Sequence, residues 1–438
     1  MIRIFLSALM IFSASHAARA AVEIQEVVSP GGITAWLVEE DSIPFTALEI
    51  RFRGGASLDE PGKRGATYLM TALIEEGAGD MDARAFAEAR EALSATYEFD
   101  VFQDALSISA RFLTENRDEA IDLLREALVN PRFDDDAIER VRAQIISGIR
   151  SDANDPNTIA STTFNQIAYG DHPYGSTREG TVESVSALTR DDIVTAHANV
   201  LALDRIYVGA SGDITPEELG VLLDELLGDL PATGAPQAER VDLQLDGGMT
   251  VVPFDTPQSV VFFGHSGIRQ EDPEFFAAFL ANEIFGGSGR QSRLMEEVRE
   301  KRGLTYGIGS YLVSRDHSEM VLGQGAAANE RAADAIEVIK DEWAKIAANG
   351  VTEEELAEAK TYLTGAYPLR FDGNGPIASI MVGMQMGGLP IDYIATRNDR
   401  VNAVTLDEVR AVAEKIYRPE DLHFVVVGQP EGLEPTAN

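Results

Sequence analysis

No cysteine occurs in the 438 residues, which excludes disulfides, thiolate zinc sites, iron–sulfur clusters and cysteine nucleophiles together. Histidine is scarce as well: six residues leave little room for imidazole metal chemistry. Cations are in deficit, with 36 Lys and Arg against 72 Asp and Glu and a formal net charge of −36. A nucleic-acid groove needs clustered cations to neutralise phosphates, and an anionic membrane surface repels a chain of this sign. No segment is long and apolar enough to span a bilayer; the N-terminal run from Ile4 to Ala14 is too short. The remaining composition is that of a globular protein. A 45% hydrophobic share and this length suffice for a large core divided between domains, so wholesale disorder is excluded despite the acidity.

The first residues have the pattern of an export signal. Met1-Ile2-Arg3 supplies a basic start, the apolar run follows, and Ala18-Arg19-Ala20 offers a small-residue cleavage site. Residues 1–20 are therefore expected to be removed, with cleavage after Ala17 as the alternative. The mature protein is expected in the periplasm if its source is a Gram-negative bacterium.

Internal repetition decides the architecture. Thr189-Arg190-Asp191-Asp192 begins a helix that leads to Ile206-Tyr207-Val208-Gly209, and Thr405-Leu406-Asp407-Glu408 begins one that leads to Val425-Val426-Val427-Gly428. Each places a threonine cap and first-turn acids before an apolar strand that ends in glycine. A second pair matches in the same order, Ala120-Ile121-Asp122-Leu123-Leu124 with Ala335-Ile336-Glu337-Val338-Ile339. A third links the strand after Ile43-Pro44 with the strand after Thr256-Pro257. The chain thus reads as two copies of one α/β unit, residues 21–230 and 241–430. A Pro/Gly/Ala linker at 231–240 joins them, as a hinge or a surface loop, and a loose tail follows at 431–438.

Strands are expected at Thr46–Phe52, Ala105–Phe112 and Gln258–Gly264, and helices at Arg64–Glu76, Ala83–Leu93, Arg117–Val129, Asp134–Arg150 and Ala332–Ala347. Short gaps between strands favour antiparallel or mixed sheets with helices on one face. The fold class is α+β, two homologous halves that form a clamshell.

Phe285-Gly286-Gly287-Ser288-Gly289, Ser292-Arg293-Leu294 and Val298-Arg299-Glu300-Lys301-Arg302-Gly303-Leu304-Thr305-Tyr306 follow one another closely. Together with His172-Pro173-Tyr174-Gly175 and Phe133-Asp134-Asp135-Asp136, they resemble the insulinase/pitrilysin family of zinc peptidases, which includes processing-peptidase subunits. The likeness spans nearly the whole mature chain and implies the two-half metallohydrolase fold.

Active members of that family carry H-x-x-E-H on the first helix, where two histidines at i and i+4 hold zinc and the glutamate accepts a proton from bound water. The corresponding positions here are Tyr68, Thr71 and Ala72, and the third ligand position falls near Ser147-Gly148. Glu75 and Glu76 lie close by, but no histidine occurs between the leader and His172, and a site built only from carboxylates is a poor zinc site. His172, His197, His265, His317 and His423 have no i,i+4 partner and are expected on surfaces or loops. No metal or other cofactor is expected in this chain.

Arg299 and Tyr306 match the Arg/Tyr pair that the family places in its C-terminal half. The resemblance implies that Arg299 and Tyr306 bind peptide and assist hydrolysis at a zinc site carried by a partner. Read without the family, Arg299 could favour a helix C-terminus and Tyr306 could be sheet packing beside Leu304 and Ile308. Peptides and a homologous zinc-bearing subunit, the holder of the zinc, are the partners so implied. The alternative is an inactive scaffold without a role in proteolysis. A hydrolase that uses Ser288, Ser292 or Thr71 lacks any recognisable His/Asp relay.

Overall fold

The computed structural model describes residues 23–287 and 292–434; the leader, Ser288 and Gly289 lie outside them. In the first half the strands are β1 (Gln25–Val28), β2 (Thr34–Glu39), β3 (Phe45–Arg53), the short β4 (Gly77–Ala78) and β5 (Met81–Asp82), β6 (Thr96–Val101), β7 (Ala105–Leu113) and β8 (Ile206–Gly212). Its helices are α1 (Ala66–Leu73), α2 (Ala83–Ala92), α3 (Arg117–Val129), α4 (Asp135–Asp152), α5 (Pro156–Tyr169), α6 (Val182–Ala187), α7 (Arg190–Val200) and α8 (Pro216–Leu227). The second half contributes β9 (Gly248–Pro253), β10 (Gln258–Ser266), α9 (Phe275–Gly286), β11 (Thr305–Ser314) and β12 (Glu319–Ala328). It continues with α10 (Ala332–Asn349), α11 (Glu353–Ala366), α12 (Asn374–Met386), α13 (Tyr393–Ala403), α14 (Leu406–Ile416) and β13 (His423–Gly428).

The duplication is visible strand by strand. The first sheet runs β1-β2-β8-β3-β7-β6 and the second β9-β13-β10-β12-β11, so everything after β1 repeats in the same order. Even the one parallel pairing of each sheet recurs, β2 with β8 and β9 with β13. Thr189 and Thr405 both close capping boxes at the starts of α7 and α14, as their shared pattern predicts.

One sequence expectation fails instructively. The strand spacing predicts helices on one face of each sheet, yet both faces carry them, and the second cover comes from the other half. Helix α5 lies on the second sheet, where Phe164 and Ala168 join Phe262, Leu322, Val425 and Val427 in one buried cluster. Helix α12 lies on the first sheet and packs Met381 and Met384 against Trp36 and Val38. The contact is close: a Cβ on Gly209 of β8 would stand 2.6 Å from the Ala378 carbonyl oxygen of α12. Periodicity reports that a helix is amphipathic, not which sheet receives it.

Polar contacts complete the joint. Arg53 pairs with Asp316 at 3.0 Å, Arg51 donates to Ser379 Oγ at 2.8 Å, and Gln385 donates to the Val208 carbonyl at 2.7 Å. Burial pushes the Asp316 carboxyl up to about 6 against the pull of Arg53. Within the Pro/Gly segment between the halves Ala235 N–H donates to the Asn199 carbonyl, and just beyond it Val241 N–H donates to that of His317 and Gln244 N–H to that of Ala168. The tail is likewise docked at its start, since Glu431 N–H donates to the Asn329 carbonyl at 2.9 Å and Leu433 packs on the second core. No helix among the described residues is long and apolar enough to cross a membrane.

The histidines correct a second expectation, because His265 and His423 lie inside strands, while His317 is on a loop as expected but buried. His265 is fully buried in β10, where its Nε2 accepts from Trp343 Nε1 at 2.9 Å and its Nδ1 meets the Ser266 carbonyl at 2.8 Å. His317 and His423 are also buried, and the His172 and His317 rings lie 6.2 Å apart, so those two are not isolated. Burial pushes the His265 imidazole down to about 4. From pH 6.5 to 4 the unfolded chain then takes up a proton that the folded chain refuses. Stability contributed by the neutral ring is full above pH 6.5 and declines by about 3 kcal/mol as pH falls through that window. Urea midpoints of wild type and His265→Gln, measured across this range, should show a shallower acid slope in the variant. Parallel slopes would reject the assignment; Asp316 titrates in both proteins and cancels.

Candidate functional site

Helix α1 is intact in shape because its start is tied down. The buried Asp59 carboxylate accepts from Gly65 N–H at 2.8 Å, Thr67 N–H at 2.8 Å and Thr67 Oγ1 at 2.6 Å. That anchor ties down the start of α1, and the residues at the motif positions are the wrong ones for zinc. Thr71 is buried and donates its hydroxyl to the Thr67 carbonyl at 2.7 Å, one turn back along its own helix. Ala72 shows solvent only a methyl group, and the space above Gly148 on α4 is open. Tyr68 is half-buried, with the Arg178 guanidinium 5.8 Å above its ring and that same guanidinium 5.8 Å from Phe102.

Neither nearby carboxylate is free to substitute. Glu75 is paired with Arg90, and Glu76 accepts two bonds from Arg140 at 3.0 and 2.7 Å. Among the described residues no group of three or more His, Cys, Asp or Glu could hold a metal ion. A hydroxyl bonded to its own helix, a methyl group and a glycine do not fit zinc. Purified alone, the chain should carry far less than one zinc per molecule by inductively coupled plasma analysis. Stoichiometric zinc would overturn this reading of α1.

The second-half motif survives in detail. A Cβ on Gly286 would stand 2.6 Å from the Ser310 amide nitrogen, so only glycine lets the end of α9 come this close to β11. After the glycine loop the chain winds through a π-helical turn, Met295–Glu300, in which Lys301 N–H reaches back to the Glu296 carbonyl at 2.9 Å. Gly303, at φ 63°, then turns the chain into β11. The register of β11 shifts between Thr305 and Ile308, a bulge that Thr305 Oγ1 braces by donating to the Ala326 carbonyl at 2.5 Å.

The result brings the two predicted site residues together. Arg299 Cζ stands 5.2 Å over the Tyr306 ring, and Arg299 Nε lies 3.6 Å from Glu300. Tyr306 is 87% exposed on the edge strand, so its ring does not do the work of sheet packing. The bulge turns it outward, where its hydroxyl is accessible. Arg178, whose guanidinium lies near the rings of both Tyr68 and Phe102, was not singled out from the sequence; nothing in their spacing links 68, 102 and 178.

The pattern of Insulinase (Peptidase family M16) matches residues 36–182, and that of the Peptidase M16 inactive domain matches residues 187–363. The chain belongs to the M16 insulinase family. It is similar to the non-peptidase homolog YmxG of Helicobacter pylori, 26% identical over 391 residues covering 89% of this chain and 90% of that protein. It is also similar to an uncharacterized zinc protease of Streptomyces coelicolor, 25% identical over 410 residues covering 90% of this chain and 87% of that protein. Among solved structures, a peptidase M16 inactive domain from Pseudomonas fluorescens superposes with a TM-score of 0.88 at 26% identity, over 95% of this chain and 100% of that one. A protease from Helicobacter pylori follows with a TM-score of 0.84 at 16% identity, over 92% of this chain and 99% of that one. This M16 chain has the two-half α+β fold of its family without the residues of the zinc motif.

Proposed function

We propose that this M16 chain is an exported, zinc-free subunit. It pairs with a zinc-bearing homologue, completes the peptide-binding chamber and supplies Arg299 and Tyr306 to hydrolysis at the partner's site. The observation that carries the reading is the unequal fate of the two motifs. Tyr68, Thr71, Ala72 and Gly148 offer nothing to a metal, whereas Arg299 and Tyr306 stand together, with Tyr306 87% exposed. A guanidinium can hold a peptide carbonyl or carboxylate, and an unencumbered phenol can donate to an oxyanion. The basic start, apolar run and Ala-x-Ala site of residues 1–20 support export to the periplasm.

The test is reconstitution. The chain, the H-x-x-E-H homologue from the same source and their mixture are assayed on a quenched peptide library. Activity is expected in the mixture and in neither component alone, with a stable complex by size-exclusion chromatography. A complex without any gain of activity would favour the scaffold reading, to which the non-peptidase name of the H. pylori relative lends support.

A further inference from the structure

A cleft of about 450 Å³ opens where the halves meet, between β3, the start of α9, α12 and α13. Its wall is unusual for a chain with a net charge of −36, because arginines line it and no carboxylate does. Arg397 is 6% exposed, and its Nη1 donates to the Leu363 carbonyl at 2.9 Å and to Asn398 Oδ1 at 3.1 Å. No carboxylate among the described residues lies within ion-pair distance of it. Its Cζ stands 4.5 Å from the Tyr367 ring and 6.0 Å from the Phe279 ring, and Tyr393 closes a third side. Arg370, on the same wall, has no ion pair among the described residues.

A buried charge is costly unless it is paired, and neighbouring rings and carbonyls compensate a guanidinium only in part. A cleft of this volume with aromatic walls and a few fixed polar groups has the character of a small-ligand site. We propose that this cleft binds a carboxylate with an aromatic body: the carboxylate meets Arg397 and Arg370, and the body lies among Phe279, Tyr367 and Tyr393. The inference stands apart from the Arg299/Tyr306 pair and from any partner subunit. Either a peptide C-terminus or a free aryl acid presents this chemistry.

The probes are N-acetyl-Phe-Phe as free acid, the same compound as C-terminal amide, and 3-phenylpropionate, titrated by calorimetry into the full-length mature chain at fixed ionic strength. At least one acid is expected to bind, and the amide at least tenfold more weakly than its acid. Arg397→Gln should weaken the acid by at least tenfold and Arg370→Gln by about threefold, as for the loss of charged hydrogen bonds. Because Arg397→Gln could impair folding, Gly383→Leu serves as an independent block. A Cβ there meets Arg51 Nη1 at an ordinary 3.8 Å, and because Gly383 lines the cleft the added side chain is expected to take up its space while leaving the Arg397 residue itself unchanged. Circular dichroism verifies that both variants are folded. Preference for the dipeptide acid identifies peptide ends as the source, and preference for phenylpropionate identifies a small acid; both support the site. Equal binding of acid and amide, binding undiminished in folded Gly383→Leu, or no binding of either acid would overturn it.

Discussion

In the reconstituted pair, Tyr306→Phe is expected to lower turnover by about 10²-fold, the scale for removing one donor to a developing oxyanion. The change deletes one hydroxyl. Since Tyr306 is 87% exposed and its ring merely lies under Arg299, it should leave folding and complex formation intact. The KM of the pair should stay within about twofold, because a donor needed only in the transition state contributes to kcat and not to substrate binding. Arg299→Ala should act differently. If the guanidinium holds peptide, its loss raises KM, and Arg299→Lys recovers only part because a point charge does not reproduce the planar fork. Full activity in both Tyr306→Phe and Arg299→Ala would end the assisting role. Loss of the complex instead would make these residues interface groups.

The second large effect concerns stability. Phe164→Ala is expected to cost about 3–5 kcal/mol, the range for deleting a fully buried aromatic ring. Phe164 belongs to α5, a helix of the first half, yet its ring meets Phe262 at 5.1 Å and His423 at 6.4 Å in the second. The damage should therefore appear in both halves. The chain has two tryptophans, Trp36 on β2 and Trp343 on α10, one reporter for each sheet. Followed separately in Trp343→Phe and Trp36→Phe backgrounds, urea unfolding should move to lower midpoints by the same amount in each. A shift seen by Trp343 alone would mean that the halves unfold independently.

Much of this molecule was legible in the residues. Ala332 begins α10 and Arg117–Val129 is α3 as expected, because apolar spacing and terminal signals agree there. The first helix is shorter than its pattern predicts, Ala66–Leu73 against Arg64–Glu76, and its start is set by Asp59, a tertiary anchor that no local pattern announces. Tyr306 shows the same limit at the site. Alternation with Leu304 and Ile308 suggested packing, but a bulge breaks the alternation and turns the ring out. Arg397 left only a faint trace, an i,i+4 spacing from Tyr393 on one helix. Its cleft depends on α12 crossing to the other sheet, which is long-range information.

That crossing also dictates when the protein can become a protein. Trp36 and Val38 emerge early in synthesis, but Met381 and Met384, which cover them, come more than three hundred residues later. Until then one face of the first sheet has no cover, and α5 has no sheet to sit on. Neither copy of the unit can cover both faces of its own sheet, so apolar surface stays open to the wrong contacts until the other half is in place. A chain built this way can bury that face only after nearly all of it has been made.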